Sequence, residues 1–192
     1  MKLETELASE KMTDEELVRN IVKNNNMMLF SILYDRYSQV IYNKCYGFAK
    51  SPAEAEDLTQ DVFLMLFVKL GSFQGRSKFS SWVYSFTYNF CVNYVNRNKS
   101  RKISDKSDSI AEDPNKLGVQ IDDDSILEMR SVKLKKALDL IDPEDKSILL
   151  LKYQDDVTIK ELAVLMEIGE SAVKMRLKRA KARIAELYNK IP

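Results

Sequence analysis

Apolar positions recur at helical spacing through most of the chain. Thr13 followed by Glu16 is a capping-box pattern, and it predicts a short helix through Leu17, Val18, Ile21 and Val22 that Asn24, Asn25 and Asn26 end. A second helix is expected through Phe30, Leu33, Tyr34, Tyr37, Val40 and Ile41, continuing to about Ala49. Ser51-Pro52-Ala53-Glu54 predicts the start of a third: serine can cap, proline suits the first turn and glutamate closes the box. There Leu58, Val62, Met65, Leu66 and Leu70 can face a core. Asp57, Gln60, Asp61 and Leu64 share another face, with Phe63 and Phe67 beside it. This helix is apolar over more of its circumference than a lone surface helix needs, so it is either deeply buried or has a partner.

A polar loop, Gln74 to Lys78, leads into a long aromatic helix. Phe79, Val83 and Phe90 make an apolar stripe, and Asn89, Asn93, Asn96 and Arg97 fall on a neighbouring face. The helix ends in a basic tail, Arg97, Lys99, Arg101 and Lys102. A core helix with a solvated polar edge accounts for the stripe alone. Amide and guanidinium groups at this spacing also suit base edges and phosphates.

From Ile103 to about Glu128 the composition changes. Eight acids, among them Asp122-Asp123-Asp124, face only Lys106 and Lys116, and Pro114 and Gly118 interrupt any helix. This reads as a flexible acidic linker; the acids lack the spaced ligands of a calcium loop. A helix resumes around Ile126, with Val132, Leu134, Leu138 and Ile141 as apolar positions. Asp142 is the expected cap of the next, which has Pro143 in its first turn and runs to about Tyr153. Thr158 to Glu161 is another capping box and opens a short helix to Met166, with Leu162, Ala163 and Met166 facing in. Glu167-Ile168-Gly169 is a tight turn, and Glu170 opens the last helix. Two short helices joined by a tight glycine-containing turn are the pattern of a helix-turn-helix. In the last helix Val173, Leu177, Ala180 and Ile184 face the core, while Lys174, Arg176, Lys178, Arg179, Lys181 and Arg183 line the rest. DNA offers such a helix a line of phosphates and a groove that accepts it; a merely solvated basic helix is the bland alternative.

The 192 residues suffice for one large domain or two small ones, and glycine and proline number only five and four, which favours helix. The fold class expected is all-α: two small helical domains, residues 13–102 and 129–192, joined by the linker 103–128. A formal net charge of +1 says little about partners; the distribution of charge says more. There is no histidine, which removes the commonest general base and metal ligand, and no Gly-rich phosphate loop, GxSxG or HExxH motif occurs. Cys45 and Cys91 lie in apolar helical patterns without CxxC spacing, as buried reduced thiols. No enzyme, catalytic residue, metal or cofactor is expected. No apolar run approaches the ~18 residues of a membrane span, so no membrane insertion is expected and the cytoplasm is the expected location.

With a helix-turn-helix for duplex DNA and an aromatic, asparagine-rich basic helix suited to unpaired bases, the chain fits opened DNA beside duplex DNA. The segments AEDLTQDVFLMLFVKLGSF, FSSWVYSFTYNFCVNYVNR and IKELAVLMEIGESAVKMRLKRAKARI, in that order, resemble an extracytoplasmic-function sigma factor of bacterial RNA polymerase. The resemblance implies a non-catalytic initiation factor of two regions whose partners are the β′ and β subunits of the polymerase core and promoter DNA, with an anti-sigma factor as a further expected partner. It places Asp57, Gln60, Asp61 and Phe63 on the clamp coiled coil of β′. Gln74, Arg76 and Lys78 fall in the loop that captures a flipped −10 base; Asn89, Asn93, Arg97, Asn98 and Arg101 on the −10-facing helix; Ser171, Lys174, Met175, Lys178 and Arg179 on the −35 recognition helix. Trp82 matches the family's tryptophan, read as structural. Gly169 stands where the family often has a capping serine, Ala172 where it often has threonine, and Asn93 where Asp is common. A free-standing helix-turn-helix regulator is the alternative from the residues alone; it leaves the over-apolar third helix unexplained. A scaffold whose helices make only protein contacts is another.

Overall fold

The computed structural model describes residues 11–104, Met129 and residues 131–192. The expected linker beyond Ser104 and the resumption of helix near Ile126 lie outside them. Among the described residues all regular structure is helical. It comprises α1 (Asp14–Asn24), α2 (Met27–Tyr46), α3 (Pro52–Lys69), a 3₁₀ turn (Leu70–Ser72), α4 (Phe79–Ser104), α5 (Ser131–Leu140), α6 (Pro143–Leu149), a π turn (Leu150–Gln154), α7 (Ile159–Leu165) and α8 (Glu170–Lys190). The chain divides into two compact units, one up to Tyr88 and the other from Asn89.

Local chemistry sets most of the boundaries. Thr13 caps α1 through the amide of Glu16, and the Glu16 carboxylate returns to the Thr13 amide at 2.8 Å. That bond holds the Glu16 carboxyl below its usual range. Asn25 ends α1 in the left-handed conformation, and Asn26 caps α2 by accepting from the amides of Met28 and Leu29. Ser51 caps α3 and Pro52 occupies its first turn, as the sequence predicts; the Glu54 carboxylate, however, accepts from the amide of Lys50, one residue before the cap. Asp142 caps α6, and Thr158 with Glu161 closes a capping box at α7.

In the first unit, Leu33, Tyr37, Ile41 and Cys45 form an i, i+4 row that is buried along α2. It packs with Leu58, Val62, Phe63 and Leu66 of α3 and with Leu17, Val18 and Ile21 of α1, and the Tyr37 ring meets Phe79 of α4 edge-on. Each such aliphatic side chain contributes roughly 1.5–3 kcal/mol by leaving water. Asp14 fastens α1 to α2: it accepts from the Tyr37 hydroxyl at 2.5 Å and pairs with Arg36 at 2.6 Å. Burial first, and then this bond, push the Tyr37 phenol well above its ordinary range. The first turns of α4 are buried on several sides, with Phe79, Ser81, Val83, Ser85, Thr87 and Tyr88 all inside. The Thr87 hydroxyl satisfies itself on the Val83 carbonyl at 2.8 Å. Lys44 is buried too; its ammonium donates to the Tyr88 hydroxyl at 3.1 Å and lies 4.0 Å from the centre of the Tyr84 ring.

In the second unit α5, α6 and α7 all pack on α8, whose Val173, Leu177, Ala180, Ile184 and Ala185 are buried. Ile141, Ile148, Leu149, Leu151, Val157 and Leu162 complete the core. Arg183 of α8 pairs with Asp145 of α6 at 2.5 Å, and the carboxylate keeps the guanidinium firmly protonated.

Several apolar residues of the pattern lie outside the core: Val22 is 51% exposed, Tyr34 45% and Val132 73%, and two more stand on α3 and α4. Met65, expected to face the core, is 41% exposed, and Phe90, expected in the buried stripe of α4, is half-buried. Both follow from the same cause: α3 and α4 carry apolar residues around most of their circumference, so periodicity alone does not fix which of them turns inward.

Candidate nucleic-acid interface

On α3 the residues Asp57, Gln60 and Asp61 are exposed. At ~100° per residue they fall within an arc of about 100°, and Leu64 and Val68 lie in the same arc. Leu64 is 68% exposed and Val68 70%. The face thus combines two carboxylates, an amide and two open aliphatic side chains, a mixture that suits a protein surface better than a nucleic acid. Phe63, assigned to this face by resemblance, is only 4% exposed. Its ring packs against Tyr34 at 4.4 Å and Phe30 at 6.4 Å, so it belongs to the α2–α3 core and supports the face from beneath. Val68 escaped the sequence reading; its i+4 spacing from Leu64 was the signal.

The 74–78 loop leaves the 3₁₀ turn at Phe73. The Phe73 ring packs on Phe79 at 5.2 Å and on Trp82 at 5.6 Å, and Trp82 in turn stacks on Phe79 and Phe86. Trp82 is thus packed against three rings, Phe73, Phe79 and Phe86. Gly75 takes φ +68°, a left-handed conformation that an L side chain would strain. Gln74, Arg76 and Lys78 are exposed around it.

Along α4 the exposed residues Asn89, Asn93, Arg97 and Arg101 form a continuous i, i+4 row. Arg97 is steadied by a bond from its Nε to the Asn93 carbonyl. The row presents amides that can both donate and accept, then guanidinium groups that only donate. Asn98, grouped with these by resemblance, is half-buried and lies half a turn from Asn89. It stands outside the i, i+4 row, within about 60° of Arg101 around the axis.

In the second unit, α7 and α8 form the helix-turn-helix. The left-handed residue in its turn is Glu167, at φ 54°; Gly169, expected to make the tight turn, is extended at φ −67° and serves as the N-cap of α8 with no side-chain bond. Ser171, Lys174, Met175, Lys178 and Arg179 are all exposed. They share one side of α8, while Val173, Leu177 and Ala180 face the core. Arg176 is exposed beside them, whereas Arg183 is committed to Asp145. No group of three or more Cys, Asp or Glu side chains among the described residues could hold a metal ion. No helix among them is long and apolar enough to cross a membrane.

Comparison with known proteins agrees with this arrangement. The family model for sigma-70 region 2 matches residues 33–101, and that for sigma-70 region 4 matches residues 131–184. The ECF RNA polymerase sigma factor SigW of Bacillus subtilis is 28% identical over 167 residues, covering 83% of this chain and 89% of that protein. The ECF RNA polymerase sigma-E factor of Escherichia coli strain K12 is 26% identical over 184 residues, covering 92% of this chain and 94% of that one. Among solved structures, the sigma factor RpoE in complex with the anti-sigma factor NepR, from Bartonella quintana, has a TM-score of 0.57 at 20% identity and covers 85% of this chain and 98% of its own. CnrH, in complex with the cytosolic domain of CnrY, has a TM-score of 0.59 at 17% identity, over 93% and 99%. These two share the fold. With both regions matched in order across more than half of its length, and relatives of the same kind spanning nearly all of it, the chain belongs to the sigma-70 family, as an extracytoplasmic-function sigma factor.

Proposed function

We propose a division of labour within the established role of this family, which is to direct bacterial RNA polymerase to promoters. Residues 13–102 dock on the polymerase core and capture the melted −10 element; residues 129–192 read the duplex −35 element; the polymerase supplies all the chemistry. The arc Asp57, Gln60, Asp61, Leu64 and Val68 contacts the polymerase. The loop residues Gln74, Arg76 and Lys78 and the row Asn89, Asn93, Arg97 and Arg101 contact unpaired bases and their phosphates. Ser171, Lys174, Met175, Lys178 and Arg179 enter the −35 groove. Flipping a base out of the stack costs a few kcal/mol, which stacking and hydrogen bonds in a pocket offset.

The observation that carries this reading is the exposed row Asn89–Asn93–Arg97–Arg101 on a helix whose first turns are buried. A core helix with a solvated edge has no need of amides and guanidinium groups in one line. A stand-alone duplex-binding regulator is not favoured, since it uses neither that row nor the open Leu64 and Val68. The solved relative bound to an anti-sigma factor supports an inhibitory protein partner for this chain as well.

Run-off transcription with purified core polymerase over a library of genomic fragments tests the proposal. Discrete products that require both the chain and particular upstream sequences are expected. Absence of any promoter-dependent product, with a core that is active with another sigma factor, would overturn it.

A further inference from the structure

The start of α4 lacks a cap of its own. Its N-cap position is Lys78, whose side chain cannot accept a hydrogen bond, and Ser77 lies one residue too early. The Ser77 hydroxyl instead donates to the Lys78 carbonyl at 3.3 Å. The amide of Phe79, first in the helix, is satisfied from far away in sequence: it donates to Oε1 of Glu15, on α1, at 3.2 Å. A carboxylate at this end also opposes the positive pole of the helix.

We infer that Glu15 is a positioning residue for the loop Gln74–Lys78, borrowed from α1 to fix the point where the loop enters α4. Phe79 is where the loop's two ends meet. Its ring is clamped by Phe73 from the loop's entrance at 5.2 Å, by Trp82 at 5.8 Å and by Tyr37 at 5.7 Å. Its amide is held by Glu15. The Phe73 amide closes the other end on the Leu70 carbonyl at 3.1 Å. Glu15 is itself rigidly placed, because its neighbour Asp14 ties α1 to Tyr37 and Arg36 of α2. Ring packing sets where Phe79 sits; the carboxylate sets the direction in which the backbone arrives. A loop that must receive an extruded base needs both, since a displacement near 1 Å is enough to spoil such a site.

This inference rests on the −10 reading of the loop, and the test separates the two. Holoenzyme assembled from core and the whole chain is titrated with forked promoter DNA unpaired through the −10 element, carrying either the preferred base or a mismatch. Glu15→Ala is expected to lower discrimination between the two DNAs about three- to tenfold. Affinity for core and for −35 duplex should stay unchanged. Glu15→Gln, whose amide oxygen still accepts from Phe79, should recover most of the discrimination. Hydrogen exchange supplies a readout that needs no DNA: the Phe79 amide should exchange about three- to tenfold faster in Glu15→Ala, with protection of α2 and α3 retained. Wild-type discrimination accompanied by an unchanged Glu15→Ala would overturn the inference, as would an unchanged Phe79 exchange rate or a failure of Glu15→Gln to rescue. A wild type that shows no base preference on the fork would sink the −10 reading itself, whatever Glu15 does to Phe79.

Discussion

Glu167, not Gly169, bears the left-handed backbone of the helix-turn-helix, and this redistributes what each residue is worth. Gly169 sits at an ordinary extended cap position with nothing within 4 Å of where a Cβ would stand. A serine there meets no obstacle and supplies the missing cap. Gly169→Ser is expected to stabilise the second unit by a few tenths of a kcal/mol from capping, with a little more from the stiffer unfolded chain. Thermal melts should show a rise of about 1–3 °C. The turn was legible in the sequence, but its conformation was not. A glycine after a short helix suggests a left-handed stop; here the stop falls two residues earlier, on a residue with no special aptitude for it. The Thr13 and Thr158 boxes, by contrast, involve partners three residues apart, so local sequence contains the whole interaction.

Within α3, adjacent residues have opposite fates. Phe63 is enclosed by the rings of Phe30 and Tyr34, while Leu64 is mostly in solvent. Phe63→Ala should cost about 3–5 kcal/mol, read by urea denaturation with Trp82, the sole tryptophan, as reporter. Leu64→Ala should change stability by less than about 0.5 kcal/mol yet weaken capture of the polymerase core, measured by competition against the wild type. Equal effects of the two on stability would contradict this placement. Periodicity could not separate the pair, because a helix apolar nearly all round has no clear inner face until its neighbours are known. The contacts that decide it come from α2, more than 25 residues away in sequence. The start of α4 could be read from the sequence, but the acceptor that holds its first amide could not, since that acceptor lies on α1. The row along α4 could be read in advance because its members are separated by single turns.

For the molecule as a whole, the near-zero net charge conceals cations gathered on one side of α8. Affinity of the holoenzyme for promoter DNA should fall steeply with salt through release of counterions. Lys174→Ala and Lys178→Ala should each lower the log–log salt slope by about 1. Filter binding or anisotropy at four or five salt concentrations gives the slope, and an unchanged one would remove these lysines from the phosphate contacts. The order of the two regions was readable from end to end because each has its own chemistry, amides and rings in one, lysines and arginines on a short-turn helix pair in the other. In the α4 row each fourth residue overshoots a full turn by ~40°. Between Asn89 and Arg101 the line of side chains therefore climbs about 18 Å and swings roughly 120° around the axis. A single strand following those side chains is steered around the cylinder, its bases turning progressively as it goes, so promoter DNA held there would have to leave on a different heading from the one on which it arrived.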